Sequence, residues 1–229
     1  MGPIMSGGPD VVSRRSTRVA PVPIFTRDGR SILFVHVPKT GGTSVERMFI
    51  RAGWDVGLRA TPHTHPAQSR LHRISPQHLH APLLTELLRL GRFDAVFLVV
   101  RDPLLRFRSE YVMRNKRHEE AGRASHVEAW TDDVLDRLAA NPSLLDNHLR
   151  PQHEFVLPQA RVYRLEDGLE AAMADLRDHS GLHLPTEVPH TLDSGAGGGL
   201  SSRDVEVTDA VAARVRALYA RDHEVFGYA

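Results

Sequence analysis

Two clusters of residues in this 229-residue chain have the side-chain types and spacing to hold an anion. The first is Pro38-Lys39-Thr40-Gly41-Gly42-Thr43-Ser44. Its glycines let backbone approach a ligand, and Lys39, Thr43 and Ser44 add one positive charge and two hydroxyls. If a helix opens directly behind this loop, the N–H groups of its first turn lack intrahelical partners and complete a cradle for phosphate or sulfate. The lysine precedes the glycines, whereas the common nucleotide loop GxxxxGK[ST] has it after them, so the order points away from a standard ATPase or GTPase. The second cluster is Arg101 with Ser109 in RDPLLRFRSEY, a guanidinium and a hydroxyl two helical turns apart. Such a pair can clamp one phosphate from two sides. Alone it reads better as an Arg-Asp pair beside a capped helix; beside the first loop, the clamp becomes the better account.

The surrounding pattern supplies the elements that would position both clusters. Ile32 to Val37 is an apolar run of strand length, and Val45, Met48 and Phe49 follow the loop at helical intervals. Ala95 to Val100 predicts a second buried strand, after which Pro103 suits the first turn of a helix carrying Phe107, Tyr111 and Val112. Arg161 to Leu165 predicts a third strand. Further helices are expected over Leu83–Leu90, from Ser125 with Glu128 at capping-box spacing, over Leu169–Leu176 ending near Gly181, and over Val207–Asp222. Strands alternating with helices give an α/β fold: a single domain with a central, mostly parallel sheet flanked by helices. In such sheets ligands sit beyond the carboxyl ends of the strands, where both clusters fall. Residues 1–28, rich in Gly, Pro, Ser and Arg, are expected to form a flexible arm, with the domain over 29–229. The stretch from Gly53 to Pro82 and a glycine cluster at Gly195, Gly197, Gly198 and Gly199 read as irregular.

Composition narrows the partners. With 29 basic and 28 acidic residues the formal charge is +1, so no global field would recruit nucleic acid or a membrane surface. All the basic residues except Lys39 and Lys116 are arginine. Cysteine is absent, which removes disulfides, thiolate metal sites and a cysteine nucleophile. No apolar stretch reaches signal-peptide or membrane-spanning length, so a soluble, cytoplasmic protein is expected. Nothing in the pattern sets an oligomeric state.

VPKTGGTS followed by VVRDPLLRFRSEY resembles the paired signature of sulfotransferases that use 3′-phosphoadenosine 5′-phosphosulfate (PAPS). The likeness is to the carbohydrate-type branch, with the heparan sulfate 2-O- and 6-O-sulfotransferases and small bacterial relatives. HLRPQHEF (148–155) and LYARDHEVFGY (218–228) are also similar to bacterial members, so the likeness spans Ile32 to Tyr228. The resemblance implies a P-loop-like sulfotransferase fold. It assigns the 5′-phosphosulfate to Pro38, Lys39, Thr40, Gly41, Gly42, Thr43 and Ser44, and the 3′-phosphate to Arg101 and Ser109. It also implies a late loop over the nucleotide, for which Ser202 and Arg203 are the candidates.

Sulfuryl transfer from PAPS to a hydroxyl builds negative charge on the bridging oxygen as the S–O bond breaks. A cation there acts mainly in the transition state, and Lys39 is the candidate. The acceptor hydroxyl must lose a proton to a nearby base. The resemblance puts that base in His78-Leu79-His80, with His78 ranked before His80. Glu46 (an exposed helix position), Glu110 (on the clamp helix) and His36 (inside the strand) are weaker candidates. Arg150 and His153 are candidates to line an acceptor pocket, and Arg106 and Arg108 read equally as solvated helix positions. His63 and His65 with His72, His78 and His80 fit no structural zinc spacing, so no metal is expected. In-line transfer to a sugar hydroxyl, or to one on a small glycosylated metabolite, is the activity implied. The alternatives are a nucleotide kinase or NTPase with a variant loop, and a non-catalytic binder of sulfated or phosphorylated ligands.

Overall fold

The computed structural model describes residues 23–57, 73–185, 187 and 200–229. Chain order is β1 (Ile24–Arg27), β2 (Arg30–Val35), α1 (Gly42–Arg51), β3 (Asp55–Gly57), α2 (Ala81–Leu87), β4 (Ala95–Val100), α3 (Pro103–Asn115), α4 (Ala124–Ala140), β5 (Arg161–Arg164), α5 (Leu169–Ser180), α6 (Asp209–Leu218) and α7 (Ala220–Phe226). The five strands form one sheet in the order β3-β1-β2-β4-β5. β2, β4 and β5 are parallel, and β1 runs antiparallel to both of its neighbours, so four strands point one way. The expectation of a single α/β domain with a mostly parallel sheet holds.

Ile32–Val35 of β2 and the whole of β4 are continuous apolar runs because both faces of the sheet are covered there. On one face Phe25, Phe34 and Phe97 pack with Val45 and Phe49 of α1 and with Met173 and Leu176 of α5. On the other, Leu33, Val35, Leu98 and Val100 meet Leu84, Phe155, Leu157 and Tyr228. A separate cluster joins Phe107 and Tyr111 of α3, Val127 and Val134 of α4, and Val211, Val215 and Tyr219 of the C-terminal helices. Register then sets the site: Val35 lies opposite Leu98, so the segments leaving β2 and β4 emerge side by side at the carboxyl edge.

Three expectations change. The arm boundary at residue 28 falls inside a β-hairpin. Arg27 pairs with Arg30, and the intervening Asp28-Gly29 both have positive φ, the two-residue turn for which Asp-Gly is preferred. The Gly/Pro/Ser/Arg bias ahead of Ile24 obscures that signal; residues 1–22 lie outside the described residues, as do His63, His65, His72 and the 195–199 glycines. The Ser125–Glu128 capping box does not form. α4 begins at Ala124, and Glu128 instead accepts a hydrogen bond from Thr208, the N-cap of α6, at 2.7 Å. The last helix breaks at Tyr219 into α6 and α7. Among the described residues no helix is long and apolar enough to cross a membrane.

Phe25 is fully buried and its ring stacks on Phe49 with centroids 3.8 Å apart. Replacing a buried phenylalanine by alanine removes transfer energy and leaves a cavity. Phe25→Ala should lower unfolding stability by about 3–5 kcal/mol in a denaturant titration. A loss below about 1 kcal/mol would mean that β1 is peripheral to the core.

Candidate functional site

The segment leaving β2 turns sharply. Lys39 has φ 70° and Gly41 φ 89°, and Gly41 is the N-cap of α1. Thr40 is buried and donates to the Val37 carbonyl at 2.8 Å, so it pins the turn from inside while Lys39 and Gly41 through Ser44 line the cleft. Gly42 is demanded by packing: a Cβ there would sit 2.0 Å from His36 Nε2. α1 therefore starts hard against the His36 ring.

Arg101 leaves β4 beside this loop. Gln152 brackets its backbone, accepting from the Arg101 N–H at 2.9 Å and donating to its carbonyl at 2.7 Å. The Arg101 guanidinium reaches the Lys39 carbonyl at 3.3 Å. Asp102 caps α3 by accepting from the Leu105 N–H at 2.8 Å, which orients Ser109 into the same cleft. Arg106, for which a solvated helix position is one reading of the sequence, is 1 % exposed. It donates to the Pro38 carbonyl at 3.0 Å and to the His148 carbonyl at 2.7 Å. Arg108 likewise turns inward, to the Val205 carbonyl.

The cleft enclosed by these elements measures about 1030 Å³. It brings together Pro38, Lys39, Gly41–Ser44, His78, Arg101, Ser109, Ser202 and Arg203 from the sequence-derived set. Two of that set are not in its lining: Thr40, for the reason above, and His80, whose ring lies 6.5 Å from Phe155 with its Nδ1 buried and unpartnered. Arg150 and His153 are also elsewhere, bonded to Asn147 and Glu154 and to Asp222 respectively.

Three lining histidines each set Nδ1 near a carboxylate: His36 near Glu46 (3.4 Å), His78 on Asp146 (2.8 Å) and His148 on Glu110 (2.6 Å). His36 thus stands past the end of β2, and Glu46 is buried beside it. The three rings pack edge to face, with centroids 5.2 and 4.8 Å apart. Asp146 also accepts from the Ser75 N–H and hydroxyl. With Nδ1–H directed at Asp146, the His78 Nε2 keeps its lone pair for a proton. Burial, reinforced by His36 and His148 against the pull of Asp146, lowers the His78 pKa to about 4, so the ring is neutral near pH 7. Burial also lowers the Lys39 pKa, opposed by the Glu110 charge. For Glu110 burial acts upward, but the bonds to His148 and Arg114 outweigh it and hold the carboxyl low.

Asp146 sits in a run of three consecutive left-handed residues, Leu145, Asp146 and Asn147, with φ 53°, 61° and 63°. Asn147 fastens the run by donating to the His78 carbonyl at 2.9 Å. Sequence reasoning missed Asp146, His148, Gln152 and the inward role of Arg106. For Asp146, His148 and Gln152 the signals were the polar density of DNHLRPQHEF and the resemblance of HLRPQHEF to bacterial members, and neither separates ligands from braces. His78, Asp146 and His148 are also the one group of described residues whose donor atoms, within 4.8 Å of one another, could approach a metal ion. Both imidazole Nδ1 atoms in it already face carboxylates.

A family model described as Sulfotransferase family matches residues 22–229. No curated protein and no solved structure matches the chain significantly.

The folded pKa of His78 lies below its unfolded value, so the unfolded chain takes up the proton first as pH falls. The contribution of His78 to stability is therefore complete above pH about 6.5 and is lost progressively down to about 4. Denaturant titrations at pH 7 and 4.5 should show His78→Gln losing less stability on acidification than the parent. Equal losses would mean that His78 is protonated normally in the folded state.

Proposed function

This chain belongs to the sulfotransferase family, and from that premise we propose that it transfers the sulfuryl group of PAPS directly to a hydroxyl of a carbohydrate or small glycosylated metabolite. The observation that carries the proposal is the convergence of Lys39, Arg101, Ser109 and His78 on one cleft at the carboxyl edge of the sheet. The loop 38–44 and the first amides of α1 would hold the 5′-phosphosulfate. Arg101 and Ser109 would hold the 3′-phosphate, with Ser202 and Arg203 closing over the nucleotide.

In the proposed step the acceptor oxygen attacks sulfur from the side opposite the bridging oxygen. The new O–S bond forms as the old S–O bond breaks, the acceptor proton passes to His78 Nε2, and the electron pair leaves on adenosine 3′,5′-bisphosphate (PAP). Lys39 stabilises the charge growing on the bridging oxygen. No enzyme residue is sulfated. Asp146 orients the His78 ring and stabilises the imidazolium that forms. His80 is the second candidate for the base, and its position outside the cleft lining favours His78. The positive charge that the reaction needs is available from side chains, so the proposed chemistry requires no metal ion. A kinase would instead need Mg²⁺ on acidic ligands; no carboxylate is in the cleft lining among the described residues.

Incubation with sulfur-labelled PAPS and a panel of glycosides in the presence of EDTA should give labelled product. EDTA-sensitive use of ATP would favour a kinase, and tight PAP binding without turnover a non-catalytic binder. Lys39→Ala should lower label transfer by about 10²–10³-fold. His78→Ala should lower it by about 10²–10⁴-fold while leaving PAP affinity within a factor of about 2. Normal turnover by the His78 variant would remove that residue from the mechanism.

A further inference from the structure

The chain uses lysine at only two positions, Lys39 and Lys116, and both line the cleft. Among the described residues five cationic side chains line it: Lys39, Arg101, Lys116, Arg117 and Arg203. The proposed donor accounts for three, Lys39 at the transfer point and Arg101 with Arg203 toward the 3′-phosphate. Lys116 and Arg117 are left without a role, and neither forms an ion pair among the described residues.

Their position along α3 says which ligand they would meet. Ser109 and Met113 fall on successive turns of one helix, and Lys116 and Arg117 follow directly at its C-terminal end, all bordering the cleft. The Lys39 ammonium rests against Met113 Sδ at 3.4 Å. Lys116, the C-cap of α3, therefore lies beyond the transfer lysine, about 10 Å from Ser109 along the helix at 1.5 Å per residue, and Arg117 follows it. The donor's anchored end is on one side of Lys39, and these two cations are on the other.

We propose that Lys116 and Arg117 bind an oxyanion carried by the acceptor, so that the preferred acceptor is an anionic hydroxyl compound rather than a neutral one. The inference rests on the sulfotransferase reading above. An ammonium offers a compact charge and a guanidinium a planar fork, and together they suit a carboxylate, sulfate or phosphate substituent. Cations at a helix C-terminus also complement its dipole, which by itself implies no effect on ligand binding.

The test is a binding titration of the PAP-saturated protein with the β-glucuronide and the β-glucoside of 4-methylumbelliferone, which differ by one carboxylate. The wild type should bind the glucuronide about tenfold more tightly, as expected for two partly solvated ion pairs. Lys116→Ala with Arg117→Ala should erase that preference and leave PAP affinity unchanged. Equal binding of the two glycosides, including none of either, overturns the inference, as does a preference that survives in the double variant. A loss of PAP affinity in the double variant would assign the pair to the donor instead. Failure of the wild type to bind PAP would reject the donor assignment itself, and is read separately in the same titration.

Discussion

The arrangement of the cleft depends on one buried guanidinium. Arg106 gives its Nε–H to the Pro38 carbonyl and an Nη2–H to the His148 carbonyl, and its Cζ lies over the Tyr219 ring, 5.7 Å from the ring centre. A cation taken out of water costs several kcal/mol unless it is bonded, so the fold is favourable only when these partners are in place. Hydrogen bonds from a charged donor contribute about 1.5–3 kcal/mol each. The consequence is a fixed distance between the anion loop after β2 and the segment that carries Asp146 and His148. Tyr219 extends the brace to the C-terminal helices by donating to the Leu149 carbonyl at 2.9 Å.

The base side of the cleft is held by a local arrangement that is unfavourable by itself. Left-handed backbone costs an ordinary residue such as Leu145 about 1–2 kcal/mol, and Asp and Asn less, and Leu145, Asp146 and Asn147 adopt it in succession. The offsets are specific: Asp146 bonds His78 and Ser75, and Asn147 bonds the His78 carbonyl and Arg150. His78 is thus gripped at its ring and at its backbone by neighbouring residues of one turn. Electrostatics then divides the cleft. Burial keeps His78 neutral, and the cations Lys39, Arg101, Lys116, Arg117 and Arg203 line the cleft, where no carboxylate of the described residues is in the lining; Glu110, Asp102 and Glu166 act on Lys39 and Arg101 from behind it. A neutral base beside a concentration of positive charge is the environment that the proposed transfer calls for.

Much of this was legible in the sequence where function coincides with local rules. The parallel strands were visible as apolar runs because both faces are buried, and Lys39, Arg101 and Ser109 because glycines and a proline punctuate the chain beside them. The hairpin before β2 was hidden by a biased composition, although its Asp28-Gly29 turn has a clear backbone reason. Asp146 was illegible because its left-handed conformation is imposed by tertiary bonds rather than by a glycine. Arg106 looked solvated because an arginine on a helix is mostly exposed, and nothing local gives a sign that Pro38 and His148 would surround it. His78 and His80 could be ranked only by resemblance; what separates them in the fold is which ring faces the cleft, and that depends on a 3-10 turn at Pro76–His78.

The central claim is that the cleft grips an adenosine nucleotide at two separated anionic ends without a metal ion. Calorimetric titration of the protein with PAP, adenosine 5′-phosphate and ATP, each with and without Mg²⁺, tests it most directly. The account predicts that PAP binds at least about 10²-fold more tightly than adenosine 5′-phosphate, the margin of two charge-assisted hydrogen bonds to the 3′-phosphate, with no response to Mg²⁺. Tighter binding of Mg²⁺-ATP, or equal affinity for the two monoadenosine phosphates with and without the 3′ group, would contradict it.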